Sequence, residues 1–192
     1  MVHSSLIRIN DPATATLKDS GRSPAFFALR HPAQVDAETI QELRDFALQE
    51  NRNVRLCLHF GPEADFHDMI IVEHKGRYYR PHKHPEHGET WHILEGRLGV
   101  LGFDDAGKII DATILERSKN VIYRVGLDCY HAVFPLTDVV IYHESKPGPF
   151  LGDGDAVFPE WSPNPDDEEG IKKHTKHMVS ALDATEAGHA VE

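Results

Sequence analysis

The chain has 192 residues, with 20 Lys and Arg against 31 Asp and Glu, a net charge of −11. That length predicts one domain with some flanking sequence. The acidic balance argues against nucleic acid or an anionic membrane as the main partner, because such binders concentrate basic charge. Hydrophobic residues make up 40%, enough for one core, and no apolar run is long enough to span a membrane. Met1–Asn10 lacks the apolar stretch of a secretory signal, and Cys57 and Cys129 form no CxxC pair, which together predict a cytoplasmic protein with two reduced thiols. The unusual count is 14 histidines, the commonest metal ligand and the side chain that titrates nearest neutral pH.

Residues 1–35 carry Pro12, Pro24 and Pro32 with little periodicity, and read as an irregular arm with a short edge strand at Leu6–Ile9. Asp36–Asn51 reads as a helix: Asp36 can cap it, Glu38 suits the first turn, and Ile40, Leu43 and Ala47 share a face. From Val54 the period changes to two, with Val54, Leu56, Leu58 and Phe60 alternating against Arg55, Cys57 and His59. Strand patterns continue at Met69–His74, Arg77–His84, Thr90–Leu94, Leu98–Phe103, Ile109–Leu115, Val121–Val125, Tyr130–Phe134 and Val139–Glu144, with a turn at Asp104–Gly107. Short strands without intervening helices predict an all-β sandwich, jelly roll or barrel and argue against a parallel α/β sheet.

Three regions follow: an arm and helix over 1–52 packed on the barrel, the barrel over 53–150, and a Pro/Gly-rich, acidic extension over 151–192. Residues 153–192 hold ten acidic and three basic residues, net −7, so the rest of the chain carries only −4. Asp166–Glu169 lacks EF-hand spacing and reads as a solvated run. Lys172–Leu182 reads as a short surface helix, and Phe150, Phe158 and Trp161 as anchors of the tail on the barrel.

The informative segment is GRYYRPHKHPEHGETWHILEG, residues 76–96. His82 and His84 are two apart in a strand-like stretch, so both imidazoles can reach one ion. Glu89 follows a short connection, Pro85–Gly88, and opens the next strand. His131, in a distant strand with apolar neighbours, is the best-placed fourth ligand. Imidazoles with one carboxylate suit Zn, Fe, Mn, Ni, Co or Cu rather than calcium, and three His with one Glu leave positions open for substrate or water.

Gly76, His82, His84, Glu89 and Gly96 fit G-x5-H-x-H-x(3,4)-E-x6-G, the first cupin motif, at every spacing. Through 54–60, 77–100, 103–109 and 121–150, and the end at Glu160–Pro163, the chain resembles cupin-fold metalloproteins of the WbuC type. The second motif, G-x5-P-x-G-x2-H-x3-N, is met at His131 only: Gly126, Asp128 and Pro135 stand where Pro, Gly and Asn are usual. The resemblance implies a cupin double-stranded β-helix, a jelly-roll barrel with one N-terminal flanking helix and an irregular acidic C-terminal tail. It also implies a divalent metal (Zn, Fe, Mn or Ni) on His82, His84, Glu89 and His131, and a homodimer paired through sheet edges.

Continuing the period of two backwards from the ligands places Tyr78 and Arg80 on the inward face. A buried guanidinium needs an anion, which a substrate carboxylate or phosphate, Glu73 or Glu144 could provide. Arg80 and Tyr78 are therefore the substrate-binding candidates, and Glu144 and Tyr78 the catalytic ones. Trp91 and Ile93 read as apolar wall, Cys129 as packing, and His92 and His87 as exposed.

Three functions compete. The first, implied by the resemblance, is a sugar or nucleotide-sugar isomerase or epimerase of bacterial surface-polysaccharide synthesis, acting on a small polar, anionic molecule. The second is an Fe(II)-dependent oxygenase, and the third a non-catalytic module that binds or senses a small ligand.

Overall fold

Asp36 caps the first long element of the chain: its carboxylate accepts from the Thr39 amide, and helix α1 runs Ala37–Glu50 to a left-handed Asn51. A computed structural model describes residues 5–19 and 23–189; the first four residues of the Met1–Asn10 segment lie outside the described residues. The described residues contain ten strands, in chain order β1 (Ala15–Asp19) and β2 (Pro24–Ala28) before α1, then β3 (Val54–Cys57), β4 (Phe66–His74), β5 (Glu89–Glu95), β6 (Leu98–Phe103), β7 (Ile109–Leu115), β8 (Ile122–Val125), β9 (Tyr130–Pro135) and β10 (Val139–Pro147). They form two sheets, ordered β1-β2-β3-β4-β10-β5-β8 and β7-β6-β9.

Alternation along the strands builds three apolar layers. Between the sheets lie Trp91, Ile93, Val125, Val140 and Tyr142 from the large sheet and Leu98, Val100 and Leu115 from the small one. On the outer side of the large sheet, Leu43 and Ala47 of α1 pack on Phe26, Val54, Leu56, Ile70, Val72 and Ile141. On the outer side of the small sheet, Met178 and Leu182 of helix α2 (Glu168–His189) pack on Leu101, Phe103, Ala132 and Phe134. Each sheet therefore has a helix on its back, and the shared interior is left for the site. No helix among the described residues is long and apolar enough to cross a membrane, and Cys57 and Cys129 are both free.

The expected all-β jelly roll with its N-terminal helix is present, and several local expectations need correction. Residues 1–35 are not an irregular arm throughout: β1 and β2 form a hairpin that joins the large sheet through the parallel pair β2–β3. The edge strand expected at Leu6–Ile9 reduces to one bridge, Leu6 to Gln34. β2 carries little period because all five of its residues are buried, whereas β1, an edge strand, is exposed beyond Ala15 and Thr16. The strand expected at Arg77–His84 is irregular except for bridges at His82 and Lys83. The C-terminal extension is irregular up to Asp167 and then helical. Its helix is longer than Lys172–Leu182 and is docked on the small sheet rather than lying free on the surface. Trp161 anchors it, packing 5.2 Å from Phe103 and donating to the Asp105 carbonyl. The Phe150 side chain, by contrast, is exposed.

Leu182 is completely buried, so Leu182→Ala should cost about 2–5 kcal/mol by loss of apolar contact and cavity formation. Urea unfolding of the two proteins measures this. A change under 0.5 kcal/mol, ordinary for a surface site, would mean that α2 does not close the small sheet.

Candidate metal centre

His131 opens the site from the small sheet. On β9 its register partner on β6 is Gly102, and its side chain turns to the interior. His82 pairs with it through two backbone hydrogen bonds, His82 N–H to the His131 carbonyl at 3.0 Å and His131 N–H to the His82 carbonyl at 2.8 Å. The 82–84 stretch is thus an added edge of the small sheet, and that pairing, rather than membership of a regular strand, aligns the imidazoles. Glu89 enters from the large sheet as the first residue of β5. Turns hold both junctions. Gly96 has φ +78 and an added Cβ would stand 2.5 Å from the Val139 carbonyl, which accounts for the glycine at that motif position. Asp128 has φ 58, so the position where the second motif carries Gly keeps the left-handed geometry with a residue type that tolerates it. Its amide donates to the His84 carbonyl and its carboxylate pairs with Lys83 at 2.9 Å.

One ligand atom each from His82, His84, Glu89 and His131 lies within 4.8 Å of the others. His84 Nε2 is 3.1 Å from Glu89 Oε1 and His131 Nε2 is 3.5 Å from Glu89 Oε2. The opposite ring nitrogens are all engaged by backbone carbonyls: His82 Nδ1 by Arg80 at 2.9 Å, His131 Nδ1 by Cys129 at 2.9 Å, and His84 Nδ1 by Asp155. A carbonyl only accepts, so each Nδ1 carries a proton, and the position left for a lone pair on each ring is Nε2. Nε2 of His84 and of His131 is buried without a hydrogen-bond partner. The Nε2 atoms of three imidazoles, two of them without a partner, and a buried carboxylate are the donor set of a divalent transition metal, and the cluster fits one.

Charge around the cluster points the same way. Burial pushes the His82 imidazole down to about 4, so it is neutral at pH 7. Burial opposes the charged forms of His84 and Glu89 too. The contacts outweigh it: His84 is pushed up by Glu89, and Glu89 is held well below the usual carboxylate range by His131, His84 and Lys146. Lys146 Nζ is 2.8 Å from Glu89 Oε1, 3.4 Å from Asp155 Oδ2 and 4.0 Å from Glu144 Oε1. Burial and the Glu89 charge raise Glu144, whose Oε2 accepts from Trp91 Nε1 at 3.1 Å. One buried ammonium thus faces three carboxylates, an imbalance that a cation offsets.

Other expected positions fall as follows. Trp91 and Ile93 line the interior, and His92 is exposed. Burial raises the Cys129 thiol, so it is not an activated thiolate. Arg80 donates to Ser162 Oγ at 2.7 Å and to the Pro159 carbonyl at 3.0 Å, and lies 5.2 Å from the Phe158 ring; its partners are these rather than Glu73 or Glu144. Tyr78 donates to the Pro163 carbonyl at 3.1 Å. Both side chains turn to the C-terminal segment because residues 77–81 do not keep a strand's alternation. His87, expected to be exposed, is buried with Nε2 3.5 Å from Asp155 Oδ1.

Sequence reasoning missed Lys146 and Asp155. The period of two from Tyr142 through Glu144 would have found Lys146. No sequence signal marks Asp155, which reaches His84 across 71 positions of chain.

Deeper in the interior, Glu73 is 4% exposed and accepts from Tyr142 at 3.0 Å. Burial pushes it up to about 7 from an ordinary 4.5. The folded form therefore holds a proton that the unfolded chain releases, so this contribution to stability is full below about 4.5 and is lost as pH rises through about 7. At ~1.4 kcal/mol per pKa unit, roughly 3 kcal/mol is at stake. Urea unfolding at pH 5 and pH 8 should show Glu73→Gln gaining on the wild type at the higher pH by an amount of that order; equal differences at both pH values would refute it.

A family described as a domain of unknown function, DUF6016, matches residues 35–115, a span that includes His82, His84 and Glu89 and stops short of His131. No curated protein matches the chain. Similar solved structures include the capsular polysaccharide assembling protein CapF of Staphylococcus aureus, at 13% identity over 53% of this chain and 30% of that one, TM-score 0.46. L-ribose isomerase of Cellulomonas parahominis is similar at 15% identity over 50% of this chain and 58% of that one, TM-score 0.42. An uncharacterized conserved Klebsiella pneumoniae protein with a double-stranded β-helix domain is similar at 16% over 50% and 71%, TM-score 0.38. The chain spans less than two thirds of the CapF and isomerase chains. The Klebsiella protein is described as having a double-stranded β-helix domain; the strands of this chain form two sheets, ordered β1-β2-β3-β4-β10-β5-β8 and β7-β6-β9.

Proposed function

We propose that this chain is a metal-dependent enzyme of the WbuC type that isomerises or epimerises a small polar molecule, a sugar or nucleotide sugar, in bacterial surface-polysaccharide synthesis. The observation that carries the reading is the set of three imidazoles whose Nδ1 atoms are each tied to a backbone carbonyl while their other nitrogens face Glu89.

His82, His84, Glu89 and His131 would hold the metal, which when bound supplies Lewis-acid polarisation of a carbonyl or of vicinal hydroxyls. Glu144 is the proton-transfer group. Its carboxyl is 12% exposed, is oriented by Trp91 and is raised by burial, which favours the protonated form that a proton donor needs. Arg80 and Tyr78 contact the anionic part of the substrate from the rim, where they now hold residues 159–163. In this reading the protein works in the cytoplasm as a homodimer.

Metal analysis of the purified protein, followed by incubation with a panel of nucleotide sugars in D2O, tests the proposal. Solvent deuterium should appear at a sugar carbon, and Glu144→Gln should reduce that incorporation about 10²–10⁴-fold with metal content unchanged. Metal-loaded protein that exchanges no substrate hydrogen would overturn the isomerase reading. Oxygen uptake by the Fe(II) form would replace it with an oxygenase, and melting shifts without turnover would replace it with a binding module.

A further inference from the structure

The chain that follows β10 is built into the ligand cluster at several points. The Asp155 carbonyl accepts from His84 Nδ1. The Asp155 carboxylate, 7% exposed, stands 3.4 Å from Lys146 Nζ, which in turn donates to Glu89 Oε1 at 2.8 Å. Val157 then pairs with Lys83, the residue between the two neighbouring imidazoles: Lys83 N–H reaches the Val157 carbonyl at 3.0 Å and Val157 N–H the Lys83 carbonyl at 2.9 Å. The Phe158 ring lies 5.7 Å from the His82 ring. Arg80 and Tyr78 hold the far end through Pro159, Ser162 and Pro163.

We infer that residues 155–163 are a strap belonging to the metal centre: Asp155 is a positioning residue for His84 and Glu89, and strap docking and metal binding stabilise each other. The inference rests on the metal reading of the preceding subsection. Two routes carry the coupling. The backbone route fixes the His84 tautomer, because a ring that loses its carbonyl acceptor can place its proton on Nε2 and withdraw a ligand. The side-chain route runs from Asp155 through Lys146 to Glu89 and fixes the carboxylate.

The strap is separate from the two sheets and partly open to solvent. Val157 and Phe158 are 42% and 49% exposed, which is the low-stability end of a fold. A group that binds only the docked form must favour docking by the same factor by which docking favours its binding.

The experiment uses the full chain, stripped of metal and titrated with Zn2+, with amide hydrogen exchange and calorimetry as readouts. Zn2+ should slow exchange at the Val157 amide about tenfold or more. Val157→Pro, which removes the N–H given to Lys83, should weaken Zn2+ about 10–100-fold, the range found when groups supporting metal ligands are lost. Asp155→Asn, which removes charge opposite Lys146, should weaken it in the same direction. Nitrogen NMR of His84 should show the Nδ1-protonated ring in the wild type and a mixture in Val157→Pro. A wild type that binds no Zn2+ sinks the metal reading itself. A wild type that binds Zn2+ without protecting Val157, alongside variants of unchanged affinity, overturns the strap inference and leaves the metal reading standing. Should Val157→Pro not fold, the wild-type exchange data and Asp155→Asn decide by the same criteria.

Discussion

Two backbone hydrogen bonds between His82 and His131 hold the centre of this molecule together. They join a stretch with no regular strand character to β9 and bring together imidazoles from distant parts of the chain. The large sheet then needs to contribute only Glu89, the first residue of β5, to complete the set. Each ring is also turned by its own carbonyl, so position and protonation state are set by the same backbone that sets the fold. A ligand cluster of this kind is preorganised: the polypeptide fixes the rotamers and tautomers in advance.

The electrostatic arrangement depends on that geometry. Glu89, Glu144 and Asp155 gather around Lys146 in an interior where unpaired charge is expensive. Lys146 alone does not balance three carboxylates, and burial raises Glu144. Glu144 is the carboxyl raised by burial and by its charged neighbour, while Glu89 is held ionised by the groups that touch it. Environment sets two carboxyl groups of one chemical type apart, Glu144 raised and Glu89 lowered. Glu73, paired with Tyr142, is buried away from the ligands and stores its proton for structural reasons.

Around this interior the support is uneven. α1 and α2 close the backs of the two sheets with completely buried Leu43 and Leu182, and the strands between them are held on both faces. Residues 155–163 are held by a few hydrogen bonds at the rim of the site, with large apolar side chains partly in solvent.

The sequence by itself determined the all-β class, because alternation along β3–β10 leaves no other way to bury those side chains. It also determined α1 through Asp36, and the four candidate ligands through their spacing and chemistry. Lys146 was legible in the same period of two and was passed over. Only the tertiary structure decided the rest. β2 is buried on both faces and β1 is a largely exposed edge strand, so neither shows the alternation of a half-buried strand. Arg80 and Tyr78 leave the inward face because residues 77–81 are not a strand. His87 is buried because Asp155 arrives from the other end of the chain. Asp155 and the strap lie outside any local pattern, since a backbone carbonyl that orients a distant imidazole acts through position alone and leaves no residue type to read.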